Sequence, residues 1–188
     1  MEKSEKVVLG FTGLIASGKG TAAEYLKSKH LASHYRFSTM LRDMAKRIYI
    51  PETRDNLVKL SESLRTAFGE DVLAKTIFHA VQQNPAPIIV LPNVRLPQDI
   101  KYLKKLSHFI LVAINTDAKT RYQRLIKRRQ NIDDKTKTWP QFLRDSQLPT
   151  ETKIRSLAQK ASFRLDNNGN RAELCEQIET MLAKINKK

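Results

Sequence analysis

Residues 7–21 read Val7-Val8-Leu9-Gly10-Phe11-Thr12-Gly13-Leu14-Ile15-Ala16-Ser17-Gly18-Lys19-Gly20-Thr21. Three parts follow one another here, and their order decides the fold. Val7–Thr12 is an apolar, β-rich run that predicts a buried strand. Residues 13–19 have the spacing G-x-x-x-x-G-K, in which glycines allow a tight loop to turn its backbone N–H groups inward around a phosphate. From about residue 17 to 29 the chain reads as a helix, with Ala22, Ala23, Tyr25 and Leu26 on its packed face. The N-terminus of that helix adds partial positive charge at the same place. Lys19 would set an ammonium on the outer phosphates. Strand, glycine loop, lysine and helix thus coincide as a phosphate site needs, so Gly13, Leu14, Ile15, Ala16, Ser17, Gly18, Lys19, Gly20 and Thr21 are read as its lining. The residue after Lys19 is Gly20, where a direct Mg²⁺ ligand would be Ser or Thr. Mg²⁺ would then be held mainly by phosphates and water.

Working outward, further strands are expected at 34–38, 87–91, Phe109–Asn115 and Phe163–Asp166. The runs at 87–91 and 109–115 are apolar throughout, as strands buried on both faces are. Helices are expected at 39–49, 53–68, 71–82, 97–106, 118–129, in parts of 142–160, and at 172–185, with a turn at 167–169. Thr53 is a candidate cap, and Pro97 opens the helix it begins. Strands alternating with helices predict a five-stranded parallel sheet with helices on both faces, joined by right-handed crossovers: a three-layer α/β sandwich. No repeat or linker divides residues 1–188. The polar stretch 130–140 reads as a mobile segment.

The chain has 188 residues and a single cysteine, Cys175, so a disulfide framework and a multi-cysteine metal site are excluded. Four histidines, His30, His34, His79 and His108, show no ligand spacing. No apolar run approaches the roughly 18 residues a membrane span needs, and the polar residues 1–6 do not read as a signal peptide. A cytoplasmic protein without membrane contact is the expectation. Lys and Arg number 34 against 19 Asp and Glu, a net charge of +15. Such an excess suits nucleic acid, anionic lipid or a polyphosphate ligand, or else a solvated lysine-rich surface.

The Gly18-Lys19-Gly20-Thr21 form resembles adenylate kinase and other nucleoside monophosphate kinases. The likeness extends over nearly the whole chain, to deoxynucleoside monophosphate kinases and the adenylate-kinase-like proteins of archaea and phages. Its further segments are Phe37-Ser38-Thr39-Met40-Leu41-Arg42, the run 53–74, the stretch Asn93-Val94-Arg95-Leu96-Pro97-Gln98-Asp99, and Arg124-Leu125-Ile126-Lys127-Arg128-Arg129. The resemblance implies a phosphate-loop nucleotide-kinase fold that transfers the γ-phosphoryl group of ATP, with Mg²⁺, to a (deoxy)nucleoside monophosphate. It implies acceptor-capping helices at about 39–83, with Arg42, Arg65 and Arg95 on the acceptor phosphate, and a lid at about 130–144. It further implies Arg124 stacked on the base, and Lys19, Arg95, Arg128 and Arg144 around the transferring group. Guanidinium suits all these places because it binds phosphate bidentately and keeps its charge.

Two acidic positions of that family are missing. The carboxylate expected at the end of the third strand falls on Pro92 or Asn93, and the one after the second-strand serine falls on Thr39. Asn93 can still accept a hydrogen bond from a metal-bound water, without charge. Asp43 and Asp99 are nearby candidates to compensate for the lost charge, Asp99 being read rather as fixing Arg95 or capping its helix. Trp139 would fold onto ligand or anchor the lid. Two other functions stay open: a dephospho-coenzyme-A kinase-like enzyme, and an RNA- or ribosome-associated phosphate-loop protein that binds nucleotide with little kinase activity.

Overall fold

Val7–Thr12 forms β1, and all six of its residues are buried. The structure, a computed structural model, describes residues 6–128 and 136–186, and only the backbone of Arg54, Arg128 and Thr150. After β1 come α1 (Lys19–His30), β2 (Ser33–His34), α2 (Phe37–Arg47), α3 (Arg54–Phe68), α4 (Val72–Gln83) and β3 (Ile88–Leu91). Two 3₁₀ turns, Pro97–Ile100 and Leu103–Lys105, lead to β4 (Phe109–Asn115). The chain continues through α5 (Ala118–Arg128), α6 (Trp139–Asp145), α7 (Pro149–Gln159), β5 (Phe163–Asp166) and α8 (Arg171–Ile185).

The strands are all parallel, in the order β2-β3-β1-β4-β5. The chain leaves β1 toward one edge, returns through β3, and then crosses to β4 on the other side. β1 therefore ends at the reversal of strand order, where open parallel sheets bind their ligands.

The alternation of side chains along β1 builds the two outer layers. Val7, Leu9 and Phe11 pack with Ala22, Ala23 and Leu26 of α1 and Leu174 and Ile178 of α8. Val8 faces the other way, toward Ile77 and Val81 of α4 and Leu157 of α7. Helices α2, α3 and α4 form a further cluster through Leu41, Ala45, Leu57 and Leu73. Among the described residues no helix is long and apolar enough to cross a membrane.

The five-stranded, helix-covered parallel sheet is the expected architecture, and three local expectations change. The second strand is shorter than 34–38. It pairs only through Ser33 and His34, with Tyr35 N–H reaching the Val90 carbonyl at 2.9 Å, before Phe37 starts α2. Residues 97–106 are two 3₁₀ turns instead of one helix. Ile100 and Leu103 are fully buried and Leu106 packs against the same core, a spacing of three that matches the 3₁₀ repeat. Within 130–144, α6 begins at Trp139 behind a capping box in which Thr138 and Gln141 satisfy each other's backbone N–H. Residues 130–135 of that segment lie outside the described residues.

Candidate functional site

Between β1 and α1 the backbone turns with positive φ at Gly13 (150°), Ala16 (60°) and Gly18 (101°). At Gly13 a Cβ would sit 2.5 Å from the Ile114 carbonyl oxygen. The first turn of α1 has no side-chain cap and no acidic residue. Its backbone donors and dipole are thus directed at whatever the loop encloses. Lys19 folds back over the same loop. Its Nζ donates to the Gly13 and Leu14 carbonyls at 2.7 and 2.9 Å, and to Ser17 Oγ at 3.4 Å. A Cβ at Gly20 would meet nothing within 4 Å, so that side of the loop opens outward.

The loop is joined to the far end of the sheet. Asn167, 5% exposed, donates from Nδ2 to the Ser17 carbonyl at 2.9 Å. Thr116 Oγ1 donates to the same carbonyl at 3.1 Å, and Asp117 N–H to Asn168 Oδ1 at 2.8 Å. Arg124 completes the seam, its guanidinium donating to the Asn167 and Gly169 carbonyls at 2.7 and 3.0 Å. The turn at 167–169, a bare turn signal in sequence, thus fixes both the phosphate loop and Arg124.

On the other side, Asp99 is buried and accepts from the backbone N–H groups of Arg95 and Leu96, each at 2.9 Å. It caps the 3₁₀ turn, as one of its sequence readings held. Burial pushes its carboxyl above the usual range, opposed by those two bonds and by the charges of Arg65 and Arg95. Both arginine charges thus act on one carboxylate. Arg65 Nε is buried and has no hydrogen-bond partner among the described residues. Arg95 Nε donates to Asn93 Oδ1 at 3.1 Å. Arg42 is exposed and pairs instead with Glu52 at 3.2 Å. Thr39 is exposed on α2, and Arg144 is exposed on α6. The Arg128 side chain lies outside the described residues.

The arginine that sequence reading missed is Arg121. It lies on the buried side of α5, 3% exposed, while Lys119 and Lys127 of the same helix face solvent. Its Nε donates to the Thr116 carbonyl at 3.0 Å and its Nη1 to the Ile15 carbonyl at 3.4 Å, while its guanidinium lies 5.2 Å from the Phe142 ring centre. Desolvation pulls its pKa down. The available signal was helical spacing: Arg121 stands one turn before buried Leu125, on the same face. Phe142 in turn stacks with Trp139 at 5.7 Å and meets Tyr122 at 5.5 Å, so Trp139 anchors α6. A cavity of about 480 Å³ opens beside the loop, with Gly13, Ser17, Arg121, Arg155, Arg164 and Asp166 in its wall.

A family model described as "AAA domain" matches residues 9–148. A UPF0200 protein of Methanococcus maripaludis is 23% identical over 180 residues, covering 95% of this chain and 97% of that one. A UPF0200 protein of Pyrococcus furiosus is 26% identical over 184 residues, covering 95% and 97%. Among solved structures, a shikimate kinase from Bacteroides thetaiotaomicron superposes with a TM-score of 0.62 at 14% identity, covering 95% of this chain and 98% of that one. TT1252 from Thermus thermophilus gives 0.60 at 17% identity, covering 96% and 98%. At such identities the superpositions speak for the fold alone, and that fold is the expected phosphate-loop, kinase-like one.

Proposed function

The chain belongs to the AAA domain family, and from that premise we propose that it is an ATP-binding phosphotransferase acting on a (deoxy)nucleoside monophosphate. The observation that carries the reading is the loop itself: left-handed Gly18 ahead of an uncapped helix, with the Lys19 ammonium at its mouth. On binding, the triphosphate replaces the loop carbonyls as partner of Lys19. Arg124, held by the 167–169 turn, lies at the base end. Arg65 and Arg95, whose charges act on Asp99, take the acceptor phosphate, with Arg42 released from Glu52. Arg128 and Arg144 close on the transferring group as the lid segment comes down, which excludes water.

Phosphoryl transfer asks a protein mainly for positioning and charge neutralisation, and arginines and Lys19 supply both. The Thr21 hydroxyl and the Asn93 amide are neutral oxygens, while Asp117 and Asp166 line the cavity beside the loop. The two neutral groups fit a Mg²⁺ that arrives on the triphosphate with its water shell, and that ion would neutralise phosphate charge.

The test is ATP consumption across a panel of nucleoside monophosphates, with shikimate as the non-nucleotide acceptor because the fold neighbours include shikimate kinases. Turnover with one monophosphate and none with shikimate is expected. Nucleotide binding without turnover on any acceptor would overturn the reading. A second reading, a nucleotide binder with weakened catalysis, rests on Thr39 and Asn93 in place of acids and on the bond that commits Asn93 to Arg95. Turnover rising in Asn93→Asp supports it, and fast turnover by the unaltered chain excludes it.

A further inference from the structure

Away from the phosphate loop, three lysines surround one ring. The Nζ atoms of Lys105, Lys101 and Lys75 lie 5.3, 5.5 and 5.8 Å from the centre of Tyr102. A single carboxylate stands among them. Asp71 accepts from the Tyr102 hydroxyl at 2.5 Å, and pairs with Lys75 at 3.0 Å and Lys101 at 3.1 Å. Lys105 has no acidic partner among the described residues, and the neighbouring Lys104 is also exposed. The 3₁₀ geometry of 97–105 produces this arrangement. Turning Ile100 and Leu103 into the core sends Lys101 and Lys104, three residues apart, to one exposed edge. The bonds to Asp71 hold Lys75 and Lys101 above the usual lysine range, so both stay charged.

Several cations gathered around one carboxylate repel one another at this range, and a polyanion relieves that repulsion. Between residues 71 and 108 no large apolar side chain is exposed, and Phe68 is the one exposed apolar side chain just before Asp71. The face thus offers many charges and at most one apolar side chain, where insertion into a lipid surface uses several. Asp71 repels a phosphate placed on it but accepts a hydroxyl, and the 2′-hydroxyl is the group that distinguishes a ribose strand.

We propose that Lys75, Lys101, Lys104 and Lys105, arrayed around Tyr102, form a docking surface for single-stranded RNA, with backbone phosphates on the lysines and a ribose 2′-hydroxyl on Asp71. This surface shares no residue with the phosphate loop or with the Arg65–Arg95–Asp99 cluster, and it stands whether or not the chain is a kinase.

The experiment is fluorescence anisotropy of the full chain with a short, unstructured single-stranded RNA over a range of salt. Four phosphate contacts give a slope of log K against log salt of about −3, at about 0.7 per contact. In Lys101→Glu/Lys105→Glu the slope falls in magnitude by about 1.4 and affinity drops at least about tenfold. The charge-matched control Lys59→Glu/Lys153→Glu, at exposed positions on α3 and α7, keeps its slope. Circular dichroism confirms that both variants are folded. An equal loss in the control would show attraction to net charge alone and overturn the proposal. Equal binding of DNA of the same sequence would overturn the assignment to RNA, and preferential binding to phosphatidylserine vesicles would replace it with a membrane.

Discussion

Gly18→Ala puts the seam between the phosphate loop and the sheet's far edge to the test. Gly18 sits at φ 101° and ψ 8°, which costs an L-residue about 1–2 kcal/mol. Its added Cβ would stand 2.0 Å from Asn167 Nδ2 and 3.2 Å from Cγ. That amide is not free to swing away, being buried and bonded to the Ser17 carbonyl. Displacing it leaves a buried polar pair unmade, worth about 1–3 kcal/mol. Against this stands about 0.4–1 kcal/mol from the stiffer unfolded chain. The net expectation is a loss of about 2–4 kcal/mol, a large share of a typical domain's stability. Urea unfolding of Gly18→Ala, Asn167→Ala and the double variant reads it directly. Removing the amide relieves the collision, so the double variant should be more stable than the sum of the singles by about 1–3 kcal/mol. Gly20→Ala, with open space around its Cβ, is the control and should be neutral or slightly stabilising. Additivity within about 0.5 kcal/mol, or a Gly18→Ala cost no larger than that of Gly20→Ala, would refute the reasoning.

Two more predictions concern the other long-range contacts. Arg121→Ala should cost about 2–4 kcal/mol, from hydrogen bonds of a charged group and a cation–π contact. Because Arg121 faces Phe142, and Phe142 stacks with Trp139, the emission of this sole tryptophan should shift in the same variant. Unchanged emission would mean that Arg121 does not hold α6. Tyr25 donates to Glu179 at 2.5 Å, and that bond, with burial and the Glu179 charge, pushes its pKa up to about 12. The folded state holds this proton more tightly than the unfolded chain, so stability falls as pH rises from about 10 toward 12. An absorbance titration should show a late-ionising tyrosine that disappears in Tyr25→Phe. Persistence of that late phase in the variant would assign it elsewhere.

The phosphate loop was legible because its requirements are local. Glycines at the sharp turns, a lysine at the helix start and an apolar run before it lie within 15 consecutive residues, and backbone conformation there depends on little else. β1, β4 and β5 were likewise legible to the residue, since an unbroken apolar run or a short strand bounded by turn residues marks its own ends. The span 97–106 was less so. Its apolar positions fit a helix roughly as well as a 3₁₀ spacing of three, and only their packing into the core with Ile77, Val81 and Leu111 shows which forms. Asp99 as a cap was one of the readings open in sequence, and its bonds to the Arg95 and Leu96 N–H groups show that cap.

Strand order, the burial of Arg121, the clasp of Arg124 on the 167–169 turn, and Asn167 against Gly18 could be decided only by the tertiary structure. Each joins residues distant in the chain: 150 apart for Asn167 and Ser17, 106 for Arg121 and Ile15, 43 for Arg124 and Asn167. The net charge shows the same division. Its size is a property of composition, but its concentration around Tyr102 depends on bringing α4 against two 3₁₀ turns about 30 residues further on. A sequence pattern shows which side of an element is apolar. It does not state which element will cover that side, and the cover determines whether an arginine meets water, a carbonyl or an aromatic ring.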